Sequence, residues 1–240
     1  MNRGPDGPQF YGRRKTRKLR PGRRRLIEKL LPGLRISLPA EPATSLDPAS
    51  LFVPDMDEVW LEIGFGGGEH LAWQAKAHPN TGQLGCEPFI NGVARLLSRI
   101  DQEKLNNIKI LDDEAGPLLD ALPEASIGRV FILFPDPWPK KRHNKRRFIS
   151  PASLDRFARF MKDGAELRFA TDDMGYLRWT LHLLCGHRDF TWLAQGPGDW
   201  REKPDDWPDT RYETKARSKK YPCIYLRFQR LPRVGSGGDE

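Results

Sequence analysis

Five short apolar, β-branched runs, residues 58–63, 83–87, 108–111, 129–134 and 165–171, alternate with stretches of helical character, and each carries or closely precedes an acidic residue. Strands of period two or of continuous apolar character, interleaved with helices at 69–77, 90–104, 118–122, 151–161 and 176–184, leave few arrangements open. The chain predicts an α/β fold in which a parallel sheet is wound through right-handed crossovers with helices on both faces. In such sheets ligands gather at the carboxyl ends of the strands, which is where these acids fall.

The fourth run is cut off by Pro135 and Pro137, so Asp136 between them stands on a stiff turn at a strand end. Trp138 follows, and then a block from Lys140 to Arg147 in which six of eight residues are Lys or Arg. A rigid turn beside a solvated face would account for either part alone. Together they place one carboxylate at the mouth of a site suited to phosphates.

The first run enters Gly64-Phe65-Gly66-Gly67-Gly68, where the backbone can approach a ligand closely. Glu69 stands where a dinucleotide fingerprint requires glycine, and Glu62 precedes the loop. A pyrophosphate would be repelled by that acid. The ammonium and sulfonium of S-adenosylmethionine would be attracted, which selects the methyl donor, with Gly64, Gly66 and Gly68 forming its cradle. Glu87 lies about twenty residues beyond the loop, the spacing at which such folds set a carboxylate on ribose hydroxyls. At the end of the third run Asp113 is assigned to the adenine edge, with the register between Asp112 and Asp113 open.

At 240 residues the chain can bury one substantial core, and a mean hydropathy of −0.65 with no apolar run of bilayer length predicts no membrane span. The start lacks the apolar core of a secretory signal, so a cytoplasmic location is expected. Cys86, Cys185 and Cys223 form no CxxC pair, are expected as buried thiols and, with the scattered histidines, suggest no metal site. The net charge of +8 favours an anionic partner. Residues 1–25 hold ten Lys or Arg against Asp6, and residues 1–50 read as a disordered basic arm and connector with a short apolar helix at 26–34. The folded domain is expected over 51–232, with a disordered tail at 233–240, a mobile loop at 194–209, a basic helix-like stretch from Thr210, and a last strand at 223–228.

Three motifs, Leu61-Glu62-Ile63-Gly64-Phe65-Gly66, Phe134-Pro135-Asp136-Pro137-Trp138 with Lys140 and the run Arg142-His143-Asn144-Lys145-Arg146-Arg147, and Thr210-Arg211-Tyr212-Glu213, resemble in order those of the bacterial tRNA (guanine-N7) methyltransferases. The similarity spans about residues 55–230. It implies the class I, Rossmann-like, S-adenosylmethionine-dependent fold with a seven-stranded mostly parallel sheet, and transfer of a methyl group to guanine 46 in the tRNA variable loop. By resemblance Glu62, Glu87, Asp113 and Asp136 bind the cofactor and Asp136 is the catalytic position. Lys140, Asp172, Thr210, Arg211, Tyr212 and Glu213 contact the substrate, and residues 142–147 contact RNA. Pro139, Lys141 and Glu114 depart from the family pattern. Two rival readings share parts of this sequence: methylation of another atom, argued against by the missing second proline after Asp136, and a non-catalytic RNA-binding module, which needs neither Glu62 nor Glu87.

Overall fold

A computed structural model describes residues 18–41, 44–218 and 221–233. The elements run in the order α1 (Pro21–Leu34), β1 (Glu58–Ile63), α2 (Glu69–Ala77), β2 (Thr81–Cys86), α3 (Ile90–Glu103), β3 (Ile108–Leu111), α4 (Gly116–Ala121), β4 (Ile127–Leu133), α5 (Pro151–Phe160), β5 (Met161–Thr171), α6 (Met174–Cys185), β6 (Phe190–Trp192), α7 (Gly198–Arg201), α8 (Arg211–Ser218) and β7 (Ile224–Arg230). Seven strands form one sheet in the order β3-β2-β1-β4-β5-β7-β6. The first five are parallel, as expected from the alternation, and β7 lies antiparallel to both β5 and β6.

Strand β1 lies inside the sheet, between β2 and β4, with Val59, Trp60, Leu61 and Ile63 all buried. Leu61 pairs in register with Leu84 on one side and Val130 on the other. On one face Val59, Leu61 and Ile63 join the core beneath α4, α5 and α6. On the other face α1, α2 and α3 bury Leu31, Leu71, Val93, Leu97 and Ile100 over Ile108 and Ile110. Helix α5 begins at the expected Ser150 cap, whose hydroxyl accepts from the Ser153 amide, with Pro151 in the first turn.

Among the described residues, no long helix covers the face of β4, β5 and β7 that carries Phe131, Ala170 and Tyr225. Trp207 plugs it instead, only 2% exposed, with Trp60 beside it. Around this plug Arg168 bonds Glu166 at 2.7 Å and Asp206 at 2.8 Å, and Arg227 bonds Glu166 at 2.7 Å. Burial raises the Glu166 pKa, but these two arginines overcome it and hold the carboxyl at about 2. The segment expected as a mobile loop is thus pinned through Asp206 and Trp207.

The basic arm also departs from expectation. Residues 1–17 and 234–240 lie outside the described residues, but α1 is ordered and extends beyond the expected 26–34, packing Leu26, Ile27, Leu30 and Leu31 against α3. The Arg35 guanidinium grips both oxygens of Asp112 at 2.8 Å, and the Ile36 amide donates to the Ile110 carbonyl at 2.8 Å. An apolar stripe among the arginines makes this segment part of the fold. Cys185 is exposed, whereas Cys86 is buried.

Candidate active site at the carboxyl edge of the sheet

The carboxyl ends of β1, β2 and β4 open into a cavity of about 410 Å³. Its floor includes Gly64 and Gly66, both at positive φ, and a Cβ built on Gly64 would meet no heavy atom within 4 Å. The backbone there is bare toward open space, a cradle that a side chain would occupy. Gly68 serves differently: it is left-handed at φ 73°, and a Cβ would stand 2.7 Å from Leu96, so its role is to let α2 and α3 pack closely.

Glu87 lines the cavity and accepts the amides of Gly66 at 2.7 Å and Phe89 at 2.9 Å. Burial pushes its carboxyl up to about 7, opposed by those two amides and reinforced by Asp136 and Glu62. Glu62 is not on the cavity wall. It lies buried, with its Oε2 2.7 Å from His70 Nδ1. Gln74 Nε2 reaches both His70 Nε2 at 3.1 Å and the Asp206 carbonyl at 3.1 Å. With Gln74 donating, His70 carries its proton on Nδ1 and donates to Glu62.

At the end of β3 the acids divide three ways. Asp112 is held by Arg35, and Asp113 is exposed, accepting the amide of Glu114 at 2.8 Å. The acid that lines the cavity is Glu114. The turn after β3 carries the chain one residue further before it meets the cavity, so Glu114 borders it and Asp113, the residue expected there, does not. A family departure at 114 was the one available signal.

Asp136 lines the cavity on its turn between Phe134 and Trp138, both of which have positive φ, 50° and 44°. Lys145 reaches the same cavity from a 3-10 turn, Lys141–Arg146. Lys140, Lys141, Arg142 and Lys145 are exposed, and Arg142 Nε donates to His143 Nε2 at 3.3 Å. The His143 ring meets Trp138 edge-on at 6.0 Å, and the Arg146 guanidinium lies 5.0 Å from the Trp138 ring. Desolvation first, then Arg146, Arg142 and Lys140, lower the His143 pKa. Asn144 is half-buried. Arg147 also borders the cavity, but it differs from its neighbours in being buried, with its Nε and Nη1 bonded to backbone carbonyls.

Thr210 caps α8, its Oγ1 accepting the Glu213 amide at 3.2 Å, and this aims the next residues. Arg211 is exposed. Tyr212 is 51% exposed, lines the cavity, and lies so close over Gly66 that an added Cβ would stand 3.0 Å from its ring. Glu213 is buried; Oε1 accepts from Arg217 at 2.6 Å and from the Tyr225 hydroxyl, while Oε2 has no hydrogen-bond partner among the described residues. Asp172 is half-buried past β5 and off the cavity wall, and the neighbouring Asp173 caps α6 through the Tyr176 amide at 2.7 Å. The structure therefore gathers Gly64, Gly66, Glu87, Asp136, Lys145, Arg146, Arg147 and Tyr212 around one cavity.

A second cavity, of about 590 Å³, lies between Arg168, Arg227 and residues 192–206. Its lining mixes both signs of charge, and its arginines are already paired to Glu166 and Asp206. Among the described residues no helix is long and apolar enough to cross a membrane, and no cluster of His, Cys, Asp and Glu could hold a metal ion.

Five parallel strands continued by an antiparallel β7 and β6, with a glycine-floored cavity at the carboxyl edge, define a class I methyltransferase. Solved structures share this fold: an antibiotic-related methyltransferase (TM-score 0.51, 17% identity, 73% of this chain and 89% of that one) and the 16S rRNA methyltransferase KamB (0.50, 15%, 74% and 89%). The family described as "Putative methyltransferase" matches residues 56–226. The chain is 51% identical over 231 residues to a tRNA (guanine-N(7)-)-methyltransferase of Rhodospirillum rubrum, covering 96% of this chain and 91% of that protein. It is 47% identical over 223 residues to the protein of that name in Chelativorans, covering 92% and 95%. The chain belongs to the tRNA (guanine-N(7)-)-methyltransferase family.

Proposed function

We propose that this enzyme transfers the methyl group of S-adenosylmethionine to N7 of the guanine at position 46 in the variable loop of tRNA, in the cytoplasm. The observation that carries the reading is the convergence, on one cavity, of Glu87 and Asp136 with Lys145 and Tyr212. The acids suit a cationic nucleoside cofactor, and the lysine and aromatic ring suit a nucleotide.

The bare backbone at Gly64, beside a Gly66 covered by the Tyr212 ring, fits a nucleoside lying against it. Glu87 would take the ribose hydroxyls and Glu114 the adenine edge. Glu62, oriented by His70 under the loop, adds negative charge on that side. When bound, S-adenosylmethionine supplies an electrophilic methyl on a sulfonium.

Guanine N7 has a lone pair and no proton at neutral pH, so no side chain has to remove one. The protein's work is to position the base and to stabilise the positive charge that develops on it. Asp136 does both from its locked turn. Asp136, on the cavity wall, is the acceptor for the N1–H and amino group of guanine, a pattern that adenine does not match. Lys140, Arg142 and Lys145 neutralise phosphates around the mouth.

The test is methylation of an unmodified tRNA transcript, with N7-methylguanosine mapped by alkali-labile cleavage. Asp136→Ala should lose roughly a hundred- to thousandfold in rate. At saturating tRNA and methyl donor, the single-turnover rate of the wild-type enzyme should stay flat through neutral and mildly alkaline pH. A tenfold climb per unit would mean that a proton is removed and that the methylated atom is not N7.

A further inference from the structure

We propose that Arg147 is the positioning residue of the Asp136 turn and not a ligand of RNA, an inference that rests on Asp136 being the catalytic position. In sequence Arg147 is the last of the basic run and looks like its neighbours. In the structure its side chain is 6% exposed. Its Nε donates to the Pro137 carbonyl at 2.9 Å and its Nη1 to the Gly175 carbonyl at 3.3 Å. The guanidinium lies 5.0 Å from the Tyr176 ring and 5.4 Å from the Trp179 ring. One fork therefore joins the carbonyl next to Asp136 to the first turn of α6.

The turn needs such a tie. Pro135 and Pro137 have no amide to donate, and Phe134 and Trp138 hold left-handed backbone that non-glycine residues adopt only when their surroundings impose it. Upstream, the Phe134 amide is bound to the Ala170 carbonyl at 2.8 Å. Downstream, the Arg147 fork holds the Pro137 carbonyl. Arg147 is itself fixed from behind, because the Ile149 amide donates to the Tyr176 hydroxyl at 3.2 Å and Trp179 Nε1 donates to the Ile149 carbonyl at 2.7 Å. A planar fork bonded to two carbonyls and covered by two rings cannot be copied by a lysine and has little left for a phosphate.

Arg147→Lys keeps the charge and removes the fork. Its single-turnover rate at saturating tRNA and methyl donor should fall roughly ten- to hundredfold, the effect of a misplaced group. Its affinities for both substrates and its melting temperature should stay near those of the wild type, and Arg147→Met should be slower still. The salt dependence of tRNA binding should be unchanged in Arg147→Lys, whereas Arg142→Ala and Lys145→Ala should each flatten the slope by roughly 0.7 to 0.9. A wild-type rate in Arg147→Lys, or a flattened slope, overturns the proposal.

Should the variants fold poorly, arginine modification by phenylglyoxal on the wild-type enzyme decides. Arg142 should react and be protected by tRNA, and Arg147 should stay unreactive with or without it. Protection of a reactive Arg147 by tRNA would overturn the assignment. Asp136→Ala assayed alongside separates the two ideas: an active Asp136→Ala removes the catalytic reading, while an inactive one beside a fast Arg147→Lys removes this inference alone.

Discussion

Glu87 links the site to pH. Burial raises its carboxyl to about 7 against the pull of the Phe89 and Gly66 amides. Because the folded value lies above that of the unfolded chain, the protonated group favours the folded state, and this contribution is lost as pH rises through about 7. Cofactor binding runs the other way, since ribose hydroxyls need an ionised acceptor. The dissociation constant for the methyl donor should therefore rise by up to roughly tenfold per unit as pH falls below that value, with a proton released on binding. Calorimetry near neutral pH in two buffers of different ionisation heat measures that proton directly. Glu87→Gln should abolish the release and weaken binding by on the order of 1.5 to 3 kcal/mol. Equal heats in both buffers for the wild type would mean that Glu87 does not titrate with the ligand.

At the level of elements, the glycine loop depends on α3 as much as on its own residues. A Cβ on Gly92 would stand 2.1 Å from the Gly66 carbonyl oxygen, a backbone atom that has nowhere to go. Gly92→Ala should push α3 from the loop, destabilise the fold by roughly 1 to 3 kcal/mol and weaken methyl-donor binding. Urea unfolding and calorimetry check both, and a mutant with wild-type affinity would show that the loop adapts. Elements with long, clear periodicity, such as β1, α3 and β4, were legible in the sequence because their own residues decide them. The three-residue β6 was not, since Phe190–Trp192 becomes a strand only by pairing with β7. Nor was the docking of α1, whose apolar residues meet α3 and whose following Arg35 finds Asp112 across a sequence separation of 77 residues. Within the site the acids Glu87 and Asp136 could be placed from strand ends alone. Glu114 depended on a turn one residue longer than assumed, and Arg147 on carbonyls that fold in from Pro137 and Gly175.

For the whole molecule, the basic residues are densest in two stretches of the sequence, residues 13–25 and the 3-10 turn beside the cavity. Removing residues 1–17 should weaken tRNA binding and flatten its salt dependence by roughly 0.7 to 0.9 for each phosphate that the arm neutralises, without disturbing the packing of α1. Binding isotherms over a range of salt, with thermal melts alongside, measure this; identical slopes with and without the arm would leave it no part in RNA binding. A last property follows from the way the sheet closes. Strands β6 and β7 are antiparallel neighbours, with Trp192 opposite Phe228, yet residues 193–223 intervene and carry Trp207, α8, Tyr212 and Glu213. Lengthening such an excursion costs little in closure entropy, because its two ends are already held side by side by the sheet. The 210–213 motif expected to touch the substrate thus lies in a single cassette, separable from the chassis that carries Gly64, Gly66, Glu87 and Asp136. Grafting another relative's 193–223 segment, with an aromatic ring retained over Gly66, should redirect the enzyme among RNAs while methyl-donor affinity persists. A folded chimera unable to bind the donor would refute that modularity. Retargeting this methyltransferase would then mean rewriting one continuous stretch of chain.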